Sequence, residues 1–172
     1  VGVARCLELL RTSAGADEQL AIDRRLLTLY IKGAPDPGAA WSAASRVLAA
    51  APGDADVRRT LDRLASHLGR DGELAAALAT AATALRSSGA PDDVRAVLAE
   101  RARLLAGRLA DQAGAEATWR EVLALRADDD EAYEQLIAGG RAAGRWPEVR
   151  ALLTQRLDVT LDERSRLTAA VE

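Results

Sequence analysis

Several residue types are scarce in this sequence, and each shortage excludes a class of protein. The 172 residues include no Phe, no Met, two Tyr, three Trp, one Cys and one His. Strands favour β-branched and aromatic residues, so this shortage argues against a sheet-based fold. Cys6 has no second cysteine to pair with, which excludes a disulfide scaffold, and we expect it to pack as a small hydrophobe.

Helix-forming residues are abundant instead. Ala occurs 39 times and Leu 26 times, and both favour helices. Hydrophobic residues make up 49% of the chain and charged residues 28%, which is typical of a folded protein rather than a disordered one. The longest uncharged runs, such as residues 74–85, fall short of the roughly 18 apolar residues that a membrane span needs. We therefore expect no membrane insertion.

The charge balance argues against nucleic-acid binding. A net charge of −3 and a pI of about 5.3 give no positive field to attract a phosphate backbone. The basic residues are 22 Arg and the single Lys32, a bias that together with the Ala excess is typical of a GC-rich coding genome. We expect the Arg58–Arg59 pair on a solvated helix face.

The chain begins at Val1 rather than Met, and its first apolar cluster has no capping signal before it. We interpret it as an excerpt of a longer protein from which targeting signals have been trimmed, and we expect a cytoplasmic location.

Four segments repeat one pattern along the chain. Each places an Ala or Val, then a second apolar residue and then a Leu at intervals of four, so the three lie on one helical face. The closing leucines are spaced by 37, 38 and 34 residues. The four triplets are Ala40–Ala44–Leu48, Ala77–Ala81–Leu85, Ala115–Trp119–Leu123 and Val149–Leu153–Leu157. This spacing predicts a helical repeat.

Other apolar stretches with helical period lie between these segments, separated by Gly, Pro and Asp turns. Thr160 and Glu163 have capping-box spacing, which predicts a further helix starting there. The predicted organisation is a single all-α segment over residues 1–172, with about ten helices and a partial helix at each end. Its antiparallel helix pairs cover residues 16–51, 54–87, 91–126 and 130–158.

These units resemble the tetratricopeptide (TPR) repeat family. The best-matched unit has Tyr133, Leu136, Ile137 and Gly140 in its first helix, Gly144 at the turn, then Trp146, Val149, Leu153 and Leu157. The stretch from Arg58 to Leu85 matches similarly, with Gly72 at the turn. The resemblance implies an α-α superhelical solenoid of the irregular bacterial type. Trp119 and Trp146 would then be packed, and Trp41 would be the tryptophan most exposed.

In that family the first helix of each pair lines a concave groove that binds protein or peptide partners. Carried over to this chain, the resemblance implies groove positions at Arg59, Asp62, Ser66, Arg70, Arg101, Arg108, Glu131, Glu134 and Arg141. A groove of mixed charge with an arginine stripe would suit an acidic or extended peptide.

Catalytic, metal and cofactor chemistry find little support. His67 is the only histidine, no phosphate-binding glycine motif occurs, and the Asp128–Asp129–Asp130 run lacks the ligand spacing of a calcium loop. The predicted function is a protein–protein interaction scaffold that is not an enzyme and needs no cofactor; the oligomeric state stays open. The alternatives are a regulatory or substrate-recruiting arm of a larger enzyme, a helical-repeat enzyme, and a closed bundle that binds a small ligand.

Overall fold

A computed structural model describes residues 2–33 and 35–169, with side chains described as far as Leu161. The described residues form nine α-helices and no strand, which confirms the all-α prediction. The helices are α1 (Gly2–Ser13), α2 (Ala16–Thr28), α3 (Pro37–Ala50), α4 (Ala55–Leu68), α5 (Asp71–Ser88), α6 (Pro91–Gly107), α7 (Gln112–Leu125), α8 (Asp130–Ala142) and α9 (Trp146–Ala169). A π-helical turn, Leu29–Gly33, extends α2.

Aspartates begin four of these helices, because a carboxylate accepts a hydrogen bond from a free amide of the first turn. The N-caps of α3, α4, α7 and α8 are Asp36, Asp54, Asp111 and Asp129, each bonded to the backbone N–H three residues on. Helix ends use left-handed glycines: Gly69 follows α4 with φ of 67° and Gly89 follows α5 with φ of 73°. The turn predicted at Gly72 is therefore wrong, since Gly72 lies inside α5 and Gly69 makes the turn.

The chain divides into two compact units, residues 1–94 and 95–172, and the division falls within α6. In unit 1, α2 packs on α1 and α3, while α4 and α5 pack on α3 and on each other. The buried positions of α3 are mostly small, which lets neighbouring helices approach closely. They are Ala40, Trp41, Ala43, Ala44, Val47 and Leu48.

In unit 2, α8 packs on both α7 and α9. Trp119 of α7 is 2% exposed and Tyr133 of α8 is 1% exposed, so two large aromatics fill the core between small residues. Gly140 of α8 closely approaches α9, since a Cβ there would lie 2.8 Å from Cγ2 of Val149.

Adding that Cβ tests how tightly α8 and α9 pack. Gly→Ala within a helix ordinarily stabilises by about 0.5–1 kcal/mol, but at Gly140 the new methyl meets a stiff, buried valine. We expect Gly140→Ala to lower the free energy of unfolding by about 1–2 kcal/mol, measured by urea denaturation. Gly139→Ala is the matched control. Its Cβ would meet only the flexible end of Glu116, at 3.2 Å, so it should be neutral or stabilising. Equal effects at the two glycines would contradict the close packing.

The predicted core is confirmed for three of the four triplets and is wrong for most of the last. Ala77 is half-buried, and the other members of the first three triplets are buried. In the fourth, Val149 is buried, whereas Leu153 is 43% exposed and Leu157 is 58% exposed. A repeat unit buries its outer face against a following unit, and among the described helices α9 packs chiefly on α8.

Four further predictions are wrong. Trp41 is 5% exposed because it packs within unit 1, and Trp146 is 62% exposed at the first position of α9. Cys6 is exposed on α1, a helix with no buried residue. No helix begins at Thr160, since α9 runs through that position without a break.

The prediction that Arg58 lies on a solvated helix face is also wrong. It is only 4% exposed, and its Nη1 donates to the carbonyl of Pro52 at 3.2 Å.

Among the described residues no helix is long and apolar enough to cross a membrane.

Candidate functional site

Three of the four groove positions predicted in unit 1 lie on α4, and the fourth, Arg70, follows its end as the N-cap of α5. Asp62 and Ser66 are four residues apart and share one face of α4, with Arg59 about one turn before Asp62. Arg59 pairs with Asp56, one turn earlier on the same helix. Asp62 and Ser66 are exposed. This helix therefore presents a short polar face made of both charge signs and a hydroxyl.

Arg70 differs from its neighbours because it is held in place within unit 1. Its guanidinium lies 5.8 Å from the ring centroid of Trp41, a cation–π distance, and its Nε lies 3.7 Å from Glu73. Arg70 therefore covers a buried tryptophan as well as contributing charge to the face.

Two predicted positions in unit 2 come from α6 and its end. Arg101 is half-buried and donates from Nη1 to Oγ1 of Thr118 at 2.6 Å, which ties α6 to α7. Arg108 is exposed just after the last residue of α6. Arg101 thus serves a packing contact, and its Nε is buried without a hydrogen bond to any described residue.

Glu131 is the centre of a charge network that the sequence did not predict. It accepts hydrogen bonds from Arg95 at 2.9 Å and from Arg103 at 2.7 and 2.8 Å. Arg95 also binds Asp129 through both carboxylate oxygens, at 2.7 and 3.1 Å. Since Arg95 and Arg103 lie on α6, this network holds α6 to the start of α8.

The network sets the ionisation of Asp129, which is 5% exposed. Burial alone would raise the pKa of Asp129. The hydrogen bonds from Arg95 and the Ala132 amide, with the charges of Arg95 and Arg126, outweigh it and hold the pKa below the ordinary 3.8. The hydrogen bond to Asp129 likewise raises the pKa of Arg95.

This lowered pKa predicts a pH dependence of stability. A carboxylate whose pKa is lower in the folded state stabilises fully above its unfolded value, near 3.8, and loses that effect as pH falls through the folded value. Asp129→Asn keeps an acceptor for the cap but removes the charge. We expect it to lower the free energy of unfolding by about 1–2 kcal/mol at neutral pH, with the difference from the native chain shrinking below about pH 4. Denaturant titrations of both proteins across this range test it; a difference that grows on acidification would contradict the assignment.

Glu134 and Arg141 are the predicted positions that remain available. Both are exposed on α8, and neither side chain makes a hydrogen bond or ion pair with any described residue. They are seven residues apart, so they lie on one side of the helix, separated by roughly 10 Å. Exposed Ala138 lies between them. A strip of α8 thus carries one free acid and one free base.

The described residues offer little for metal or cofactor chemistry. No group of three His, Cys, Asp or Glu side chains among them could hold a metal ion. His67 is exposed in the last turn of α4.

The paired helices, Asp caps and buried small residues define an all-α fold of the TPR-like class. A solved structure, that of MamA, a TPR-like helical protein, is similar: the TM-score is 0.54 and the sequence identity 12%, over 95% of this chain and 90% of that chain. At that identity the likeness shows the fold alone. No protein-family model and no curated protein matches the chain.

Proposed function

We propose that the chain is a protein–protein interaction scaffold or adaptor that binds a polypeptide partner and carries out no catalysis itself. The observation that carries this proposal is the strip on α8, where Glu134 and Arg141 are exposed and unpaired in a fold of the TPR-like class. Side chains that pack nothing and pair with nothing within the described residues are free to contact another molecule.

The chemistry of this strip points to an extended segment of mixed charge. Arg141 can bind a carboxylate through two parallel hydrogen bonds, and Glu134 can accept from a lysine or arginine. An extended chain advances about 3.3 Å per residue, so a partner would reach both with charges about three residues apart. Asp62 and Ser66 on α4, with Arg70 just beyond its end, form the corresponding contact surface that we propose for unit 1.

Two predicted groove positions that are hydrogen-bonded to neighbouring helices have a structural role in this proposal. Glu131 and Arg101 hold α8 and α7 to α6, so they position the strip rather than meet the partner. Arg59 and Arg108, both exposed, are proposed as outer contacts. The net charge of −3 supports a polypeptide partner over a nucleic acid. The TPR resemblance supports a bacterial source, and a cytoplasmic location remains part of the proposal.

Charge reversal on α8 tests the proposal with little risk to folding, because neither side chain has an internal partner. The purified chain is used to capture partners from the source cells, and each captured protein is then purified and its affinity measured by calorimetry. We expect Glu134→Arg together with Arg141→Glu to weaken binding at least tenfold, since each contact changes from attraction to repulsion.

The control is Arg150→Glu together with Asp158→Arg on α9. Both residues are exposed and unpaired among the described residues, so the charge change is matched. If the α8 and α9 variants bind every purified partner equally well, the strip on α8 is not the binding surface.

A further inference from the structure

An open cleft lies in unit 1 between α1 and the C-terminal end of α2, away from the proposed contact residues of α4. Its volume is about 510 Å³, within the range of sites that hold small ligands or short peptide segments. Its lining comes from α1 (Val3 and Leu7), from α2 (Arg25 and Thr28) and from the π-helical turn (Leu29, Lys32 and Gly33).

The cleft carries two cations that nothing in the described structure neutralises. Arg25 and Lys32 are exposed, and neither side chain makes an ion pair or hydrogen bond with a described residue. Neighbouring arginines of unit 1 are paired: Arg24 with Asp54 at 2.8 Å, and Arg46 with Asp23 at 2.7 Å. The uncompensated charge at the cleft is therefore local and positive.

Apart from the two cations and Thr28, whose hydroxyl donates to the Arg24 carbonyl at 3.0 Å, the side chains of the lining are apolar. Val3 is 65% exposed, and Leu7 and Leu29 are half-buried. Covering these side chains would remove apolar surface from water, which is favourable by about 25 cal/mol per Å². A ligand that fits must combine an apolar group with negative charge.

The π-helical turn shapes the floor of the cleft. A Cβ at Gly33 would lie 2.8 Å from Cδ1 of Leu29, so the glycine leaves room for that leucine in the lining. Single π-helical turns interrupt the regular hydrogen-bond ladder and recur at functional sites. Here the turn places Leu29 and Lys32 beside the same opening.

We propose that this cleft binds a peptide segment of a partner protein in which a large apolar side chain is followed, within two residues, by aspartate or glutamate. The apolar side chain would cover Val3, Leu7 and Leu29, and the carboxylates would meet Arg25 and Lys32. The cleft is open to solvent rather than enclosed, which favours a peptide segment lying on the surface over a buried lipid tail. This site is independent of the α8 strip, so either proposal can fail without the other.

The test uses the full chain and a fluorescein-labelled peptide, Gly-Leu-Leu-Glu-Glu-Gly, with binding followed by fluorescence anisotropy. We expect saturable binding that weakens with added salt. We also expect about tenfold weaker binding when Arg25→Gln and Lys32→Gln are combined, because two charge contacts are lost. Replacing Glu-Glu by Gln-Gln in the peptide should weaken binding similarly. Arg150→Gln on α9 is the matched control and should leave the affinity unchanged.

Two further measurements keep the proposal open to contradiction. Amide chemical shifts of the ¹⁵N-labelled chain should change near Thr28 and Gly33 and stay fixed in α8; circular dichroism confirms that each variant is folded. Absence of saturable binding to the native chain, equal binding by the double variant, or shifts centred elsewhere would overturn it. Binding of phosphatidylglycerol vesicles through Arg25 and Lys32 without peptide binding would also overturn it and assign the cleft to a membrane surface.

Discussion

Replacing Trp119 by alanine is expected to lower the free energy of unfolding of unit 2 by about 3–5 kcal/mol, the range for removing a large buried aromatic side chain. Trp119 is 2% exposed at the centre of the third triplet, and small neighbours such as Ala115 cannot fill the space it leaves. Far-ultraviolet circular dichroism in a urea titration measures the loss.

Trp146→Ala is the matched control for this prediction. Trp146 is 62% exposed, so its removal should change the free energy of unfolding by less than about 0.5 kcal/mol. From the sequence alone, Trp119→Ala and Trp146→Ala would be expected to lower the free energy of unfolding by similar amounts, because the TPR resemblance implies that both side chains are packed. A large loss at Trp146 would contradict the structure of α9.

Removing the carboxylate of Asp23 is expected to cost about 3 kcal/mol in the free energy of unfolding of unit 1. Asp23 is 3% exposed and joins three helices: Arg11 of α1 donates to both of its oxygens at 2.9 and 3.1 Å, and Arg46 of α3 donates at 2.7 Å. Asp23→Ala leaves both guanidinium groups without that partner. Their partial exposure, 28% and 27%, lets water recover part of the loss.

Glu8→Ala is the control within the same cluster. Glu8 pairs with Arg46 at 3.3 Å and its side chain is 42% exposed, so its removal should cost less than about 1 kcal/mol. Thermal denaturation of both variants measures the contrast. Equal losses at Asp23 and Glu8 would mean that the buried carboxylate does not hold the three helices together.

The helices themselves could be predicted from sequence because their signals are local. Asp36, Asp54 and Asp129 stand at helix starts, where any chain of this pattern places a capping carboxylate. Apolar residues at intervals of four fixed which face of α3, α5 and α7 is buried. These features need no knowledge of the neighbouring helix.

The site residues could be predicted only in part, because pairing depends on distant residues. Glu131 and Arg101 looked like free groove positions, yet their partners are Arg95, Arg103 and Thr118, which lie 17–36 residues away in sequence. No local sequence pattern predicts hydrogen bonds between residues so far apart in the chain.

The exposed side of α9 and the cleft beside α2 were missed for different reasons. Leu153 and Leu157 continue the repeat pattern, and only the structure reveals that both are exposed. The cleft depends on a π-helical turn at Leu29–Gly33, for which propensity gives no signal.

Site-specific photo-crosslinking in the source cells tests the binding role of α8 most directly. A photoreactive phenylalanine derivative replaces exposed Ala138, between Glu134 and Arg141, or exposed Ala151 on α9 as the control. A partner polypeptide should crosslink at position 138, weakly or not at all at position 151, and less at 138 when Arg141→Glu is added. No product at position 138, or equal yields at both positions, would contradict a partner-binding surface on α8.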